Sequence, residues 1–449
     1  MAAAPDIASH RLPADALARN FSDLHPALGS LEAKLAAERC LFCYDAPCVT
    51  ACPTSIDIPL FIRQIVASNA EGAGRTIVKQ NILGGMCARV CPTENLCEGA
   101  CVREASEHRA VEIGRLQRFA TDALMAAGPQ PFARAAATGR RIAVVGAGPA
   151  GLAAAHRLAV LGHAVTIYEA KPKAGGLNEY GLAAYKTPGG FAAEEIAWLL
   201  GIGGIEIVHG KALGRDITLA ALAADYDAVF LGLGLAETNR LGIDDAVAGV
   251  EDAVDYIAKL RQAGDLGQLP VGRRVVVIGG GMTAIDIASQ IKRLGAEEVT
   301  IAYRRGEAEM GASAYEREIA RNDGVAIRTH LKPAKILAEN GHVVGIELER
   351  TRIEAGKVIG TGETITLAAD QVFRAIGQAF RADALGGALA LEGGRIQATA
   401  DGRTSHAKVW AGGDCVAGRE DLTVAAVRDG RDAALSIHAA LVGADVKAA

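Results

Sequence analysis

Aromatic residues make up only 4% of this 449-residue chain, and no run of eighteen apolar residues occurs in it. Without such a run there is no candidate membrane helix. The opening MAAAPDIASHRLPADALARN has no apolar core of a secretion signal and carries Asp6, His10 and Arg11 early. The expectation is a soluble, unexported, cytoplasmic protein that binds no membrane. Basic residues do not dominate either: the net charge is −5 and no basic run exceeds a few residues, which argues against a nucleic-acid footprint. The histidines, among them His10, His25 and His108, are scattered without metal or triad spacing, so no catalytic residue is nominated.

What the chain does have is length for about three domains, 53 glycines and half its residues apolar. Many glycines with few aromatics suit an α/β protein with several tight turns against ligands. Eight of the nine cysteines fall between Cys40 and Cys101, and Cys415 stands alone. In a reducing compartment, clustering of this kind points to metal or redox chemistry rather than disulfides.

Three regions differ in texture. Residues 1–135 hold the cysteines among helical stretches such as IPLFIRQIVASNAEGAGRTIVKQN, where Phe61, Ile62, Ile65 and Val66 recur at helical spacing. AAGPQPFARAAATG, 126–139, reads as a linker. From Arg141, β-branched runs alternate with Ala/Leu helices, and the plan of RIAVVGAGPAGLAAAHRLAVLGHAVTIYEA returns about 132 residues later as RRVVVIGGGMTAIDIASQIKRLGAEEVTIAYRR. The second unit lies between two buried-strand patterns that run into glycine, YDAVFLGLG and QVFRAIGQ. One dinucleotide domain inserted in another is expected, the outer one resuming near Gly377.

In the first unit Gly146, Gly148 and Gly151 form G-x-G-x-x-G between strand and helix. The first glycine permits the turn, the second lets a pyrophosphate touch backbone, and the third allows helix and strand to pack closely. Glu169 ends the next strand, where a carboxylate binds ribose hydroxyls. Two features favour FAD here. Gly175 and Gly176 offer a second close backbone approach. A strand running into Gly412, Gly413 and Asp414 precedes a long helix from Thr423, whose N-terminus can stabilise a reduced flavin. The second unit has Gly279, Gly281 and Ala284, the G-x-G-x-x-A variant for a second dinucleotide, NAD(H) or NADP(H). Its next strand ends in Arg304 and Arg305. These either bind a 2′-phosphate or pair with Glu307, Glu309 or Glu316.

The cysteines run C-x2-C-x4-C-x3-C-P (Cys40, Cys43, Cys48, Cys52) and C-x3-C-P-x4-C-x3-C (Cys87, Cys91, Cys97, Cys101). Two-cluster ferredoxins use a related run whose fourth cysteine crosses to the other cluster. Zinc knuckles usually pair two C-x2-C units, and one occurs here. Beside a flavin, iron–sulfur clusters take a hydride's two electrons one at a time. Eight thiolates would serve two clusters.

CLFCYDAPCVTACPTSIDIPLFI, NILGGMCARVCPTENLCEGACVR, IGRLQRFATD and the two glycine motifs together resemble the NADH-oxidising subunit of bacterial dihydropyrimidine dehydrogenase and the N-terminal part of the eukaryotic enzyme, from about residue 30 onward. The resemblance implies a helical domain with two 4Fe-4S clusters over 1–135, an FAD-binding domain over 136–263 and 378–449, and an NAD(P)-binding domain over 264–377. It implies Cys40, Cys43, Cys48 and Cys101 as ligands of one cluster. Cys52, Cys91, Cys97 and Gln117, sixteen residues past the last cysteine of the run, would hold the other, with Cys87 left a non-ligand. The implied route runs from NADH to FAD, through both clusters, to an FMN-containing partner subunit that reduces uracil or thymine. The chain alone is not expected to reduce pyrimidines. The small subunit of NADPH-dependent glutamate synthase shares the architecture and is the nearest rival.

Overall fold

The computed structural model describes residues 6–443, and its contacts divide the chain into two units. One comprises the N-terminal segment through Leu24, Tyr180–Pro188 and Glu237–Ala379; the other comprises His25–Glu179, Gly189–Ala236 and the chain from Phe380 onward. Among the described residues no helix is long and apolar enough to cross a membrane.

The cysteine-bearing region is helical and belongs to the second of these units. The stretch expected to be helical from Ile58 is two helices, Ile58–Val66 and Ala70–Gln80. Ser68 turns to φ 61° between them. Local chemistry marks the break: Asp57 caps the first helix by accepting from Leu60 N (3.0 Å), and Asn69 caps the second by accepting from Gly72 N (2.9 Å). Phe61, Ile62 and Ile65 are buried against Ile77, Ile113, Leu116 and Ala120, while Val66 is only partly buried. Truncating Phe61 to Ala would cost about 3–5 kcal/mol by the usual cavity penalty.

The same unit holds a five-stranded parallel sheet in the order Val409–Ala411, Ala228–Leu231, Arg141–Val145, Ala164–Glu169, Ile205–His209. The chain thus leaves this sheet after Leu231 and re-enters it at Val409. Parallel strands need crossover helices, and Pro149–Val160 supplies the first. That helix packs along Thr423–Val442, so closely that a Cβ on Gly430 would stand 2.0 Å from Ala150 O.

The other unit repeats the design. Its parallel sheet runs Ala326–Arg328, Glu298–Ala302, Arg274–Ile278, Gln371–Arg374, Val250–Asp252. Between its two halves lies an antiparallel sheet of three long strands, Leu331–Glu339, His342–Glu354 and Lys357–Ala368. QVFRAIGQ belongs to this unit: its strand pairs with Arg274–Ile278.

Three segments depart from the sequence-based boundaries. Residues 237–263, placed by sequence in the first part of the FAD domain, belong to the other unit, where Val250–Asp252 forms the edge strand beside Gln371–Arg374 and the helix Ala253–Gln262 follows it. The N-terminal arm, placed by sequence with the cysteine domain, pairs Ile7–Ala8 with Val271–Gly272 and buries Leu17 and Phe21 among Val275, Ile287 and Ile291. Asn20 Nδ2 donates to Arg293 O (2.8 Å), and Arg293 returns the bond to Asn20 O (3.0 Å). Tyr180–Pro188, placed by sequence in the FAD domain, is gripped by the same unit. Buried Lys186 lies 2.8 Å from both Asp286 and Glu316. Burial works against its charge, but the two carboxylates outweigh it and hold the ammonium protonated above the ordinary lysine range.

Candidate functional site

Cys40, Cys43, Cys48 and Cys101 line one cavity, walled by Leu41, Pro47, Ile58, Ile62, Val102 and Ile113. Cys101 comes from just before the Val102–Glu107 helix and the other three from the loop and short helix following Ser30–Glu38, so the chain returns across some fifty residues to close the ring. Burial pushes the Cys40 thiol up, and it pushes Cys48 up to about 11 with help from Cys40 and Cys101. Among the described residues no group of three or more His, Cys, Asp or Glu closes tightly enough to hold a single metal ion. The four thiols stand round a cavity instead.

Cys52, Cys91 and Cys97 form a second group. Cys91 is raised well above the ordinary thiol range by its hydrogen bond with Cys87, by burial, and by Cys97 and Cys52. Burial and Glu98 raise Cys97, with Cys52 and Cys48 as its cysteine neighbours. Cys48 and Cys97 therefore join the two groups. Gln117 lies on the buried face of Ile113–Ala126 and donates Nε2 to Gly84 O (2.7 Å), at the start of the Gly84–Val90 helix that leads to Cys91. Soft thiolates round a cavity suit an iron–sulfur cluster.

One participant escaped the sequence reading. Glu195, 2% exposed, accepts from Gly85 N (2.7 Å) and Met86 N (3.2 Å), fixing that same helix. Burial raises its carboxyl to about 8 against the pull of those two amides and Arg89. The signal was present: Glu195 falls in phase with buried Phe191 and Leu199, a charge within an apolar stripe.

At the first nucleotide turn Gly146 takes φ 97° and donates N–H to Tyr168 O (2.8 Å). A Cβ on Gly151 would stand 1.9 Å from Gly146 O, and one on Gly176 would stand 2.8 Å from Gly148 Cα. Glycine at these positions keeps open a backbone-lined cradle suited to a pyrophosphate. Glu169, 7% exposed, accepts from Ala147 N and Lys171 N, each at 2.7 Å, so it braces the turn. Gly175 N donates to Ala147 O (2.8 Å) and brings the Gly175–Gly176 pair to the same place. Gly413 N donates to Asp429 Oδ2 (3.0 Å), which ties the end of the Val409–Ala411 strand to the Thr423–Val442 helix. Burial, then Asp421, raises the Asp414 carboxyl to about 6, with Arg395 opposing. Leu422 gives no side-chain cap to the Thr423 helix, and Thr423 Oγ1 bonds Asn178 Oδ1 (3.0 Å).

The second turn copies the first. Gly279 donates to Ala302 O (3.1 Å), Gly281 caps Met282–Arg293, and Ala284 is buried. Arg304 is exposed and Arg305 half-buried. Their carbonyls accept from Thr351 Oγ1 (2.8 Å) and His330 N (3.0 Å), which fixes the backbone. Two of the three carboxylates named as partners are engaged elsewhere: Glu307 with Arg317 (3.2 Å) and Arg321 (2.7 Å), and Glu316 with Lys186. Among the described residues neither arginine side chain makes an ion pair.

Comparison with known proteins agrees with this arrangement. Residues 17–129 match the family model of dihydropyrimidine dehydrogenase domain II, 4Fe-4S cluster, and residues 140–430 match that of pyridine nucleotide-disulphide oxidoreductase. The chain is 36% identical over 421 residues to the NAD-dependent dihydropyrimidine dehydrogenase subunit PreT of Salmonella typhimurium, covering 94% of this chain and 97% of that one. It is 34% identical over 444 residues to the glutamate synthase [NADPH] small chain of Escherichia coli, covering 92% of each. Mycobacterium tuberculosis FprA in complex with NADPH shares the fold of two Rossmann-like domains, with TM-score 0.57 and 20% identity over 67% of this chain and 84% of that one. The chain belongs to the pyridine nucleotide-disulphide oxidoreductase family, in the branch with an N-terminal 4Fe-4S domain that includes the PreT subunits of dihydropyrimidine dehydrogenase.

Proposed function

We propose that this chain is the electron-input subunit of a dihydropyrimidine dehydrogenase, oxidising NADH and delivering electrons to an FMN-containing partner that reduces uracil or thymine. The observation that carries the reading is the ring of Cys40, Cys43, Cys48 and Cys101 round one cavity, joined by Cys48 and Cys97 to a second thiol group. When bound, FAD supplies a hydride acceptor and 4Fe-4S clusters supply one-electron steps.

The chain's own residues have the remaining tasks. Gly146, Gly148, Gly151 and Gly176 would hold the FAD pyrophosphate against backbone, and Glu169, which braces that turn through Ala147 N and Lys171 N, would take the ribose hydroxyls. Gly413, Asp414 and the N-terminus beginning at Thr423 take the ribityl chain and the flavin. Gly279, Gly281 and Ala284 cradle the nicotinamide dinucleotide, with Arg304 and Arg305 beside its ribose. Cys40, Cys43, Cys48 and Cys101 hold one cluster; Cys52, Cys91, Cys97 and Gln117 hold the other. No side chain acts as general acid or base, because hydride transfer needs orientation rather than a proton relay. Exposed Leu41, Tyr44 and Val102 give the partner an apolar rim beside the first cysteine ring.

The test is co-expression with the candidate FMN subunit, followed by NADH-dependent reduction of uracil and thymine. A complex that reduces neither would overturn the pyrimidine assignment, and co-purification of the chain with a glutamate synthase large subunit would favour the assignment of its 34% identical relative.

A further inference from the structure

The last carbonyls of a helix have no partner within it. In Ala70–Gln80 those of Lys79 and Gln80 are met by arginines from two helices of the nucleotide-binding part of the same unit. Arg157, on Pro149–Val160, donates Nη2 to Lys79 O (2.8 Å). Arg431, on Thr423–Val442, donates Nη1 to Gln80 O (3.0 Å) and to Gln80 Oε1 (2.8 Å). Both cations also meet the negative end of the helix dipole.

Arg431 reaches one element further. The same Nη1 donates to Thr54 O (2.9 Å), while Nε is held by Asp432 Oδ1 (2.8 Å). Thr54 is buried and belongs to a tight turn: Ser55 N donates to Cys52 O (2.8 Å), with Ser55 at φ 54°. Thr54 Oγ1 stands 3.4 Å from Cys52 Sγ. To hold Thr54 O is therefore to hold Cys52. Arg431 lies eight residues past Thr423, about 12 Å along the helix at 1.5 Å per residue. One rigid helix thus carries both the end proposed to face the flavin and the guanidinium that grips the cysteine turn.

Apolar packing does not fix that spacing by itself. Val78, Ile82 and Leu83 share one buried cluster with Leu158, Ile196 and Ala426, but such attraction is non-directional. A single nitrogen bonded to three oxygens selects one position.

We propose that Arg431 is a positioning residue for electron transfer, a guanidinium that locks the Cys52 turn onto the Thr423–Val442 helix at the spacing the electrons must cross. The inference rests on the reading that this chain passes electrons from FAD to iron–sulfur clusters held by its cysteines. The two electrons of each hydride cross one at a time, one to each cluster, and the proton goes to solvent. Arg431 takes no part in the chemistry; it acts through Thr54 and the end of Ala70–Gln80.

The test uses the full FAD-loaded chain purified without oxygen, with iron, acid-labile sulfide and FAD measured first. The chain is mixed rapidly with NADH; flavin bleaching is followed by absorbance and cluster reduction by freeze-quench EPR. Arg431→Ala is expected to keep its iron, sulfide and FAD and to bleach flavin at the wild-type rate. Its clusters should be reduced about tenfold or more slowly, as a small misplacement of reacting groups produces, with their midpoint potentials unchanged. Cluster reduction at the wild-type rate overturns the proposal. Slower flavin bleaching, or a midpoint shift that accounts for the slower clusters, also overturns it, because Arg431 would then act on the flavin or on potential rather than on spacing. Should Arg431→Ala lose FAD or iron, Arg431→Met, which keeps an apolar stem without donors, decides by the same readings. If the wild-type chain bleaches flavin and shows no cluster signal, the electron-transfer reading itself has failed, and the inference falls with it.

Discussion

Removing both guanidinium groups at the end of the Glu298–Ala302 strand, as Arg304→Ala/Arg305→Ala, separates the two nicotinamide cofactors. Neither side chain is tied to an acid among the described residues, since Glu307 is taken by Arg317 and Arg321 and Glu316 by Lys186. Their charge is available to a 2′-phosphate, which NADPH has and NADH lacks. A hydrogen bond to a charged group contributes about 1.5–3 kcal/mol when well shielded. Arg304 is exposed and Arg305 half-buried, so solvent screening reduces this to about 1 kcal/mol each. The pair then accounts for about 2 kcal/mol, or roughly a 30-fold loss in kcat/KM for NADPH. NADH should change by no more than about twofold, within the range of exposed substitutions. Steady-state rates with an artificial electron acceptor and each cofactor measure this directly. Equal losses with both cofactors, or no loss with NADPH, would refute the reasoning. The chain's preference for NADH, proposed from its PreT relatives, is a separate matter that the wild-type rates settle.

Other perturbations follow from the same geometry. Gly176→Ala places a Cβ 2.8 Å from Gly148 Cα at a residue with φ 55°; overpacking of about 1–3 kcal/mol should weaken FAD retention about ten- to hundred-fold, seen as a lower flavin-to-protein ratio. Glu195 has its carboxyl raised to about 8 from 4.5. The folded state therefore binds the extra proton between those values. Stability due to this group is full below about pH 4.5 and is lost as pH rises through about 8, so Glu195→Gln should flatten the melting-temperature profile over that window. Asp414 is raised to about 6 in the flavin-free chain. If its carboxylate accepts from the flavin ribityl chain, FAD affinity should rise as pH climbs through 6, and Asp414→Asn should abolish that dependence in equilibrium titrations; an unaltered slope would remove Asp414 from the site.

The parts of this molecule that were legible in its sequence are those whose chemistry is local. A glycine turn between strand and helix needs about thirty residues to declare itself, and both dinucleotide units did. The cysteine runs pointed to iron–sulfur chemistry by their spacing, but the division of ligands between two clusters, Gln117 among them, entered only through resemblance, because a helix-face amide has no signature of its own. What escaped depends on distant partners. The allegiance of the N-terminal arm is decided by Val271–Gly272 and Arg293, more than 250 residues away. Lys186 meets Asp286 and Glu316, 100 and 130 residues on, so nothing near it announces that Tyr180–Pro188 leaves the FAD domain's sequence neighbourhood. The three long antiparallel strands from Leu331 went unread because their charged, half-exposed pattern lacks an apolar run. Glu195 was legible in principle, as a carboxylate in phase with Phe191 and Leu199, but its purpose lies in the amides of Gly85 and Met86.

The central claim is that hydride taken at the second glycine turn leaves this chain as single electrons through its cysteines. Two equivalents of NADH per FAD, supplying the four electrons that one flavin and two clusters take up, added without oxygen to the FAD-loaded chain, frozen within the turnover time and examined by EPR, test it most directly. The account predicts bleaching of the flavin together with signals of two reduced 4Fe-4S clusters, one of them lost in Cys48→Ala. Flavin bleaching with no cluster signal, in protein shown to contain zinc and no acid-labile sulfide, would contradict it.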